Sequence, residues 1–299
     1  MANTIAGANL AEIAQESLAG LSSTFAPLAA LTTDFSADVR DAGASVTTRY
    51  PTKPTAADMS SGYKTAAADV AMTAATITLG THYGFTYGFT DVERSKSSIN
   101  LNALFIEPAL QALGDKVFGD IWNLVTVANF STASVITAAN FDRDNLADLS
   151  ATLTDTKKAP KEGRSIFMNP TYYASLVKTL NSAEVPGITA DKAEAIVPRV
   201  AKFDAYETDL ADANAENLAA FAFQRNSLLM AGRAVGTDPE GLQLANARGI
   251  EIETVVIPGL GLPVQFRKWY SADGKLYFNC NILYGVAKGV DYGVRVTSA

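Results

Sequence analysis

Residues 278–296 read FNCNILYGVAKGVDYGVRV, two glycine-punctuated apolar runs almost at the end of the chain. In an extended backbone Leu276, Phe278, Cys280 and Ile282 fall on one face and Tyr277, Asn279 and Asn281 on the other, because successive strand side chains point to opposite sides. That is the pattern of a half-buried strand. A second run repeats it, with Tyr292, Val294 and Val296 against Gly293, Arg295 and Thr297, so the end of the chain is expected to be tied into a sheet.

Upstream, LPVQFRKWY (262–270) reads as a strand joined to KLYFNCNI through SADG, where Asp273 and Gly274 are turn residues. IEIETVVI (250–257) is another strand. Far earlier, YGFTYGFT (83–90) alternates Tyr83, Phe85, Tyr87 and Phe89 with Gly84, Thr86, Gly88 and Thr90, which predicts an aromatic stripe packed on a helix and a nearly bare opposite face. The helix is at hand. Residues 101–125 set Ile106, Leu110, Leu113, Val117, Ile121 and Leu124 three or four apart, and Pro108 belongs to its first turn or kinks it.

Between these segments the pattern is mixed. DRDNLADLSATL is expected to be a helix starting near Asp142 or Asp144, RSIFMNP a short buried strand, and PTYYASLVKTL a helix opened by Pro170. AAFAFQ reads as a strand and SLLMAGRAV as a helix with Gly236 beyond its end. An α/β unit is therefore inserted in a sheet that residues 83–90 begin and the chain end resumes. Near the start, residues 46–80 hold VTTRYP, a small-residue loop and ATITL, a long hairpin whose tip around Asp58 to Lys64 has too few bulky side chains to bury itself and needs a neighbour. Before it come a short amphipathic helix at residues 8–19, bearing Leu10, Ile13, Ala14 and Leu18, and a stretch at 22–45 with isolated Phe25, Leu28, Leu31 and Phe35.

The 299 residues are 48% hydrophobic and 18% charged, ample for a core. A net charge of −7 with scattered Lys and Arg leaves no basic stripe for a run of phosphates, which argues against sequence-specific nucleic-acid binding. The lone Cys280 has no intrachain disulfide partner and sits in the apolar alternation, as a buried thiol does; a cytoplasmic product fits. The first residues lack a cationic start and a continuous apolar core, and no stretch has the apolar length of a membrane span.

Candidate chemistry is sparse. His82 is the only histidine, and no G-x-S-x-G elbow accompanies it. One His and one Cys give a poor zinc set. Asp204, Glu207, Asp209 and Asp212 form an acidic run without EF-hand spacing, open to a carboxylate pair for glycoside hydrolysis or to a solvated face. PGLGLP (258–263) reads as a turn before a strand, not a phosphate loop. No cofactor or metal is indicated.

Taken in order, these elements resemble the major capsid proteins of tailed bacteriophages, with the α+β Hong Kong 97-type fold. The resemblance assigns residues 1–45 to an N-terminal arm, 46–82 to the E-loop hairpin, and 83–135 to the P-domain strand and spine helix. It assigns 136–261 to an α/β A-domain and 262–299 to P-domain return strands. RSIFMNPTYYASLVKTL is similar to the A-domain strand and helix of many members, and ILYGVAKGV (282–290) resembles the closing pattern in which a Tyr-Gly enters the final strand. The chain end is then ordered because it completes the P-domain sheet.

What the resemblance implies is structural, not enzymatic. Copies tile as hexamers and pentamers, arms and E-loops lap onto neighbours, and the icosahedral shell, made in the host cytoplasm, encloses double-stranded DNA in the virion. Low positive charge suits a container that holds DNA non-specifically without gripping it. With the arm starting at Met1, assembly is expected to use a separate scaffolding protein or none, alongside portal and decoration proteins. Arg49 and Lys64 on the hairpin and Glu93, Arg94 and Lys96 before the spine helix are the candidate subunit contacts. Some members crosslink Lys to Asn between subunits; Lys64 is on the loop, and no Asn partner is identifiable by matching. Alternatives of other kinds are an encapsulin-like compartment loaded with cargo enzyme, a glycosidase using Asp204 and Glu207, and a fibre adhesin with a binding face at Tyr83 to Phe89.

Overall fold

The computed structural model describes residues 26–31, 45–51, 56, 58–60, 72–96, 101–180, 199–235, 239–257 and 260–298. In chain order they form β1 (Ser45–Pro51), β2 (Met72–Thr78), β3 (Thr81–Thr90), α1 (Asp91–Lys96), α2 (Leu101–Trp122), β4 (Ala133–Val135) and α3 (Arg143–Asp155). Then come β5 (Arg164–Met168), α4 (Pro170–Thr179), β6 (Phe203–Glu207), β7 (Leu218–Gln224), β8 (Leu228–Arg233), α5 (Pro239–Ala247), β9 (Glu251–Val256), β10 (Pro263–Ser271), β11 (Lys275–Lys288) and β12 (Gly293–Thr297). The helix expected at residues 8–19 and most of the arm lie outside the described residues.

β11 organises the first sheet, of order β3-β11-β10-β9. One of its edges pairs with β3 over Lys275 to Tyr284; the other takes β10 over Lys275 to Asn281 and then β8 over Leu283 to Lys288. The sheet begun at residues 83–90 is thus resumed near the chain end, as the alternation requires. Phe278, Cys280, Ile282 and Tyr284 are buried in the central core.

The last strand does not stay in that sheet. β12 lies between β4 and β7 in a second sheet of order β4-β12-β7-β5-β6, which corrects the expectation that residues 262–299 all return to the first. The run from Gly289 to Tyr292 carries the chain across. Gly289 crosses where a Cβ would come 2.1 Å from the Asn226 carbonyl, and Val294 and Val296 then enter a separate core with α3 and α4. Equally, β8 and β9 fall within residues 136–261 yet belong to the first sheet, so the expected A-domain boundaries do not follow the sheets.

SLLMAGRAV is a strand, β8, and not the helix its apolar run suggested. Leu228 and Met230 enter the central core while Leu229 and Ala231 enter another cluster on the opposite side. A strand buried on both faces has no polar alternation, so periodicity alone cannot separate it from a buried helix.

The other α/β elements form where their residues place them. Asp142 caps α3, its side chain accepting from Asn145 N, and Asn169 caps α4, accepting from Tyr172 N with Pro170 at the first helical position. Arg164 on β5 is fully buried without a carboxylate. Its guanidinium donates to Ser150 O and Oγ, Thr154 Oγ1, Ala159 O and Pro160 O, so it ties β5 to α3 and to the loop after it.

α2 joins the two sheets. At about 1.5 Å per residue its 22 residues span roughly 33 Å. Pro108 stands inside it, and beyond Pro108 the residues Leu110, Leu113, Val117, Phe118, Ile121 and Trp122 enter the central core. That core also takes Phe167, Phe221 and Phe223 from the second sheet, so one apolar cluster spans both sheets. Leu28, in a short turn of 3-10 helix at Ala26–Ala30, and Leu31 just after it are buried in it too.

Candidate functional site

The β1–β2 ribbon stands apart as a two-stranded sheet, paired from Ser45↔Thr78 to Pro51↔Met72. Its root is anchored. Val46, Ala75 and Ile77 pack on Leu229 and Ala231 of β8, with Tyr50, Leu79 and Ala287 around them. Beside this cluster the Thr78 carbonyl lies against Gly285 of β11, where a Cβ would come 2.2 Å from the oxygen. Only glycine permits that approach, so the Tyr-Gly pair at 284–285 fixes where the ribbon leaves the body. Alternation alone did not point to it.

Away from the root, the described residues of the ribbon include several exposed side chains. Arg49, opposite Ala74, is exposed, and Met72 is 60% exposed. Nearer the tip, Met59 is 47% exposed beside an Asx turn in which Ser60 N and Oγ donate to Asp58. An isolated two-stranded ribbon is marginal in water, and exposed methionines on it are adaptable contact groups. Lys64 lies outside the described residues.

The other candidate contacts share α1. Glu93 is engaged locally, since Thr90 N and Oγ1 both donate to Glu93 Oε2 at 2.9 Å, while Glu93 N donates to Thr90 Oγ1. This is a capping box, and those bonds hold the Glu93 carboxyl below its usual range. The Thr-x-x-Glu spacing was the signal for it. Lys96 is exposed at the end of α1, and Arg94 lies in the same helix. The structure therefore places Glu93, Arg94 and Lys96 on one short helix and Arg49 on the separate ribbon.

The aromatic stripe on β3 is less buried than the alternation predicts. Phe85 packs on the central core, whereas Tyr83 is 46% exposed and carries the Lys116 ammonium 4.6 Å over its ring. Lys116 also pairs with Asp120, whose other oxygen accepts from the buried Tyr284 hydroxyl at 2.5 Å. This polar contact pins α2 to β11. At the far end of α2, Asn214 Nδ2 donates to the Trp122 and Val125 carbonyls and Trp122 Nε1 donates to Asp212 O, capping the helix. Arg295, buried, donates to Glu216 Oε2 at 2.7 Å and to Phe130 O, and Glu216 accepts from Val127 N; the clamp ties the chain end to the turn after α2.

The residues weighed for catalysis do not converge. His82 Nε2 donates to Asn281 Oδ1 at 3.2 Å rather than to an acid. Cys280 is fully buried and burial pushes its thiol far up. Asp204 and Glu207 are three apart on β6, which sends them to opposite faces, and Asp204 pairs with Arg199 at 3.5 Å. Among the described residues, no group of three or more His, Cys, Asp or Glu side chains is placed to hold a metal ion, and no helix is long and apolar enough to cross a membrane.

No protein-family model matches the chain, and no curated protein matches it. Solved structures do. A chain of Mycobacterium phage Che8 superposes with a TM-score of 0.60 at 16% identity, covering 89% of each chain. One from the capsid of Cyanophage P-SCSP1u gives 0.59 at 12% identity, over 90% of this chain and 86% of that one. One from a virus-like particle of Pyrococcus furiosus gives 0.56 at 12% identity, over 95% and 98%. At these identities the likeness establishes the fold, and it extends over nearly the whole of each chain.

Proposed function

We propose that this chain, which carries the Hong Kong 97-type fold of phage capsids, is the major capsid subunit of a tailed bacteriophage. Copies of it tile as hexamers and pentamers into an icosahedral head around double-stranded DNA. The observation that supports this most is the combination of near-complete superposition on capsid chains with a β1–β2 ribbon anchored at its root and exposed beyond it. A ribbon of that kind is stable when it lies on a neighbouring copy.

In this reading the ribbon is the E-loop, α2 is the spine helix, the β3-β11-β10-β9 sheet is the P-domain, and the second sheet with α3 and α4 is the A-domain. Arg49, Lys64, Glu93, Arg94 and Lys96 are subunit contacts, with Glu93 also holding the start of α1. The subunit acts by self-association and binds the packaged genome non-specifically; a scaffolding protein assists assembly, and portal and decoration proteins complete the head. The mature location is the virion.

The match to a virus-like particle supports a second reading, a shell of the same fold that encloses cargo protein. Electron microscopy and size-exclusion chromatography of the purified full chain test both. Closed shells or capsomer-sized rings are expected, and co-purified DNA or protein in shells from the native source separates the two readings. A uniform monomer at high concentration, with and without a coexpressed scaffold, would overturn both.

A further inference from the structure

The face of the first sheet turned away from the central core carries a groove that the shell reading does not use. It forms a cavity of about 420 Å³ lined by His82, Tyr83, Gly84, Ile250, Arg267, Trp269, Asn279 and Asn281. Cross-strand register explains its composition. Gly84 stands opposite Asn281, Asn279 opposite Arg267, and Trp269 opposite Tyr277, so these residues share one face. Gly84 forms the floor: a Cβ there would come 2.7 Å from Asn281 Cβ. From β3 to β10 is two strand spacings, roughly 10 Å, the width of one or two sugar rings.

Its polar groups are held in advance. His82 Nε2 donates to Asn281 Oδ1, Asn281 Nδ2 to Asn279 Oδ1 at 2.6 Å, and Asn279 Nδ2 to Phe85 O and Thr86 Oγ1. Asn281 is 5% exposed, which for an amide fixes one orientation. Arg267 is fixed likewise, Nε donating to Gln265 Oε1 and Nη2 to Val235 O, which leaves Nη1 for another acceptor. Trp269 stacks on Tyr277 at 5.3 Å and 13°, so the pair stands as a rigid wall.

Each amide retains donor or acceptor capacity after these bonds, as vicinal hydroxyls require, and a flat indole suits the C–H face of a pyranose. The charge is specific. Among the described residues, the lining holds an arginine and no Asp or Glu, on a chain whose net charge is −7. We propose that this groove binds a carboxylate-bearing saccharide, with the sugar ring against Trp269, its hydroxyls on Asn279 and Asn281, and its carboxylate on Arg267. A preformed concave site with few convergent polar groups is the ordinary form of a small-ligand site.

The chain has two tryptophans, Trp122 and Trp269, and Trp122 is buried, so fluorescence reports on the groove. The full chain is titrated with sodium glucuronate, glucose, sodium acetate and a nucleoside monophosphate. The expected result is a saturable change with glucuronate in the millimolar range, at least about tenfold weaker with glucose, and none with acetate. Arg267→Gln removes the preference for glucuronate, Ile250→Glu, which adds a carboxylate to the wall, weakens glucuronate while sparing glucose, and Trp269→Phe removes the signal. No saturable response to glucuronate, a tighter response to the nucleotide, or a preference that survives both Arg267→Gln and Ile250→Glu would overturn the proposal. Shell formation plays no part in the readout, so its failure is independent of the capsid reading.

Discussion

The Tyr284 hydroxyl donates to Asp120 Oδ2 at 2.5 Å, so a β11 side chain in the central core is bonded to a carboxylate on α2. Burial, reinforced by Asp120, pushes the Tyr284 pKa far up. Tyr284→Phe is expected to cost about 1.5 to 3 kcal/mol, the usual scale for a hydrogen bond to a charged group, read as a lower urea midpoint of the unassembled chain. Because the folded pKa is raised, this stability is complete below the ordinary tyrosine value of 10.0 and is lost as pH rises through the folded value. The Phe variant should lack that alkaline component. An unchanged midpoint would show that the contact contributes nothing.

At the neighbouring residue the issue is space. A side chain at Gly285 would meet the Thr78 carbonyl at 2.2 Å. Gly285→Val is expected to leave circular dichroism near the parent's and to displace the ribbon, giving soluble subunits with little or no shell. Normal shells on sedimentation would refute the claim that this approach sets the ribbon's departure.

Arg49 tests the ribbon as a contact surface. Its side chain is exposed and opposes Ala74, so charge reversal disturbs no contact of the root. Arg49→Glu should keep the subunit's unfolding free energy within about 0.5 kcal/mol while lowering shell yield or shell stability. Particles of parental yield and stability would remove Arg49 from the interface.

Asp142 gives a pH signature. It caps α3, and the hydrogen bonds from Asn145 hold its carboxyl below the usual range. Asp142→Ala is expected to cost about 1 kcal/mol at neutral pH. A lowered folded pKa contributes stability above the unfolded value and loses it as pH falls through the folded one, so parent and variant should converge in acid. A constant gap in thermal midpoint from neutral pH to below the carboxylate range would contradict the cap's charge dependence.

Much of the element inventory was legible because it follows from nearest-neighbour chemistry. Period-two alternation gave β3, β10 and β11, a three-and-four stripe gave α2, and Asp142 and Asn169 marked helix starts through their own side chains. Of the candidate contacts, Arg49 and Lys96 are exposed charges, and Glu93 is committed to Thr90 through a Thr-x-x-Glu spacing present in the sequence; contact with a neighbour is a property of the assembly and is not written in the order of residues.

The chain by itself determined that residues 275–288 and 293–297 form strands, because alternation is a property of adjacent residues. Tertiary structure decided which sheet each one joined: β11 beside β3 and β10, β12 between β4 and β7. It also decided that 228–233 is a strand, since a run buried on both faces carries no period until its partners are known. The ribbon's seat on Gly285 and the groove beneath Trp269 were settled the same way, because each joins segments remote in sequence, whose meeting depends on the packing of the whole chain.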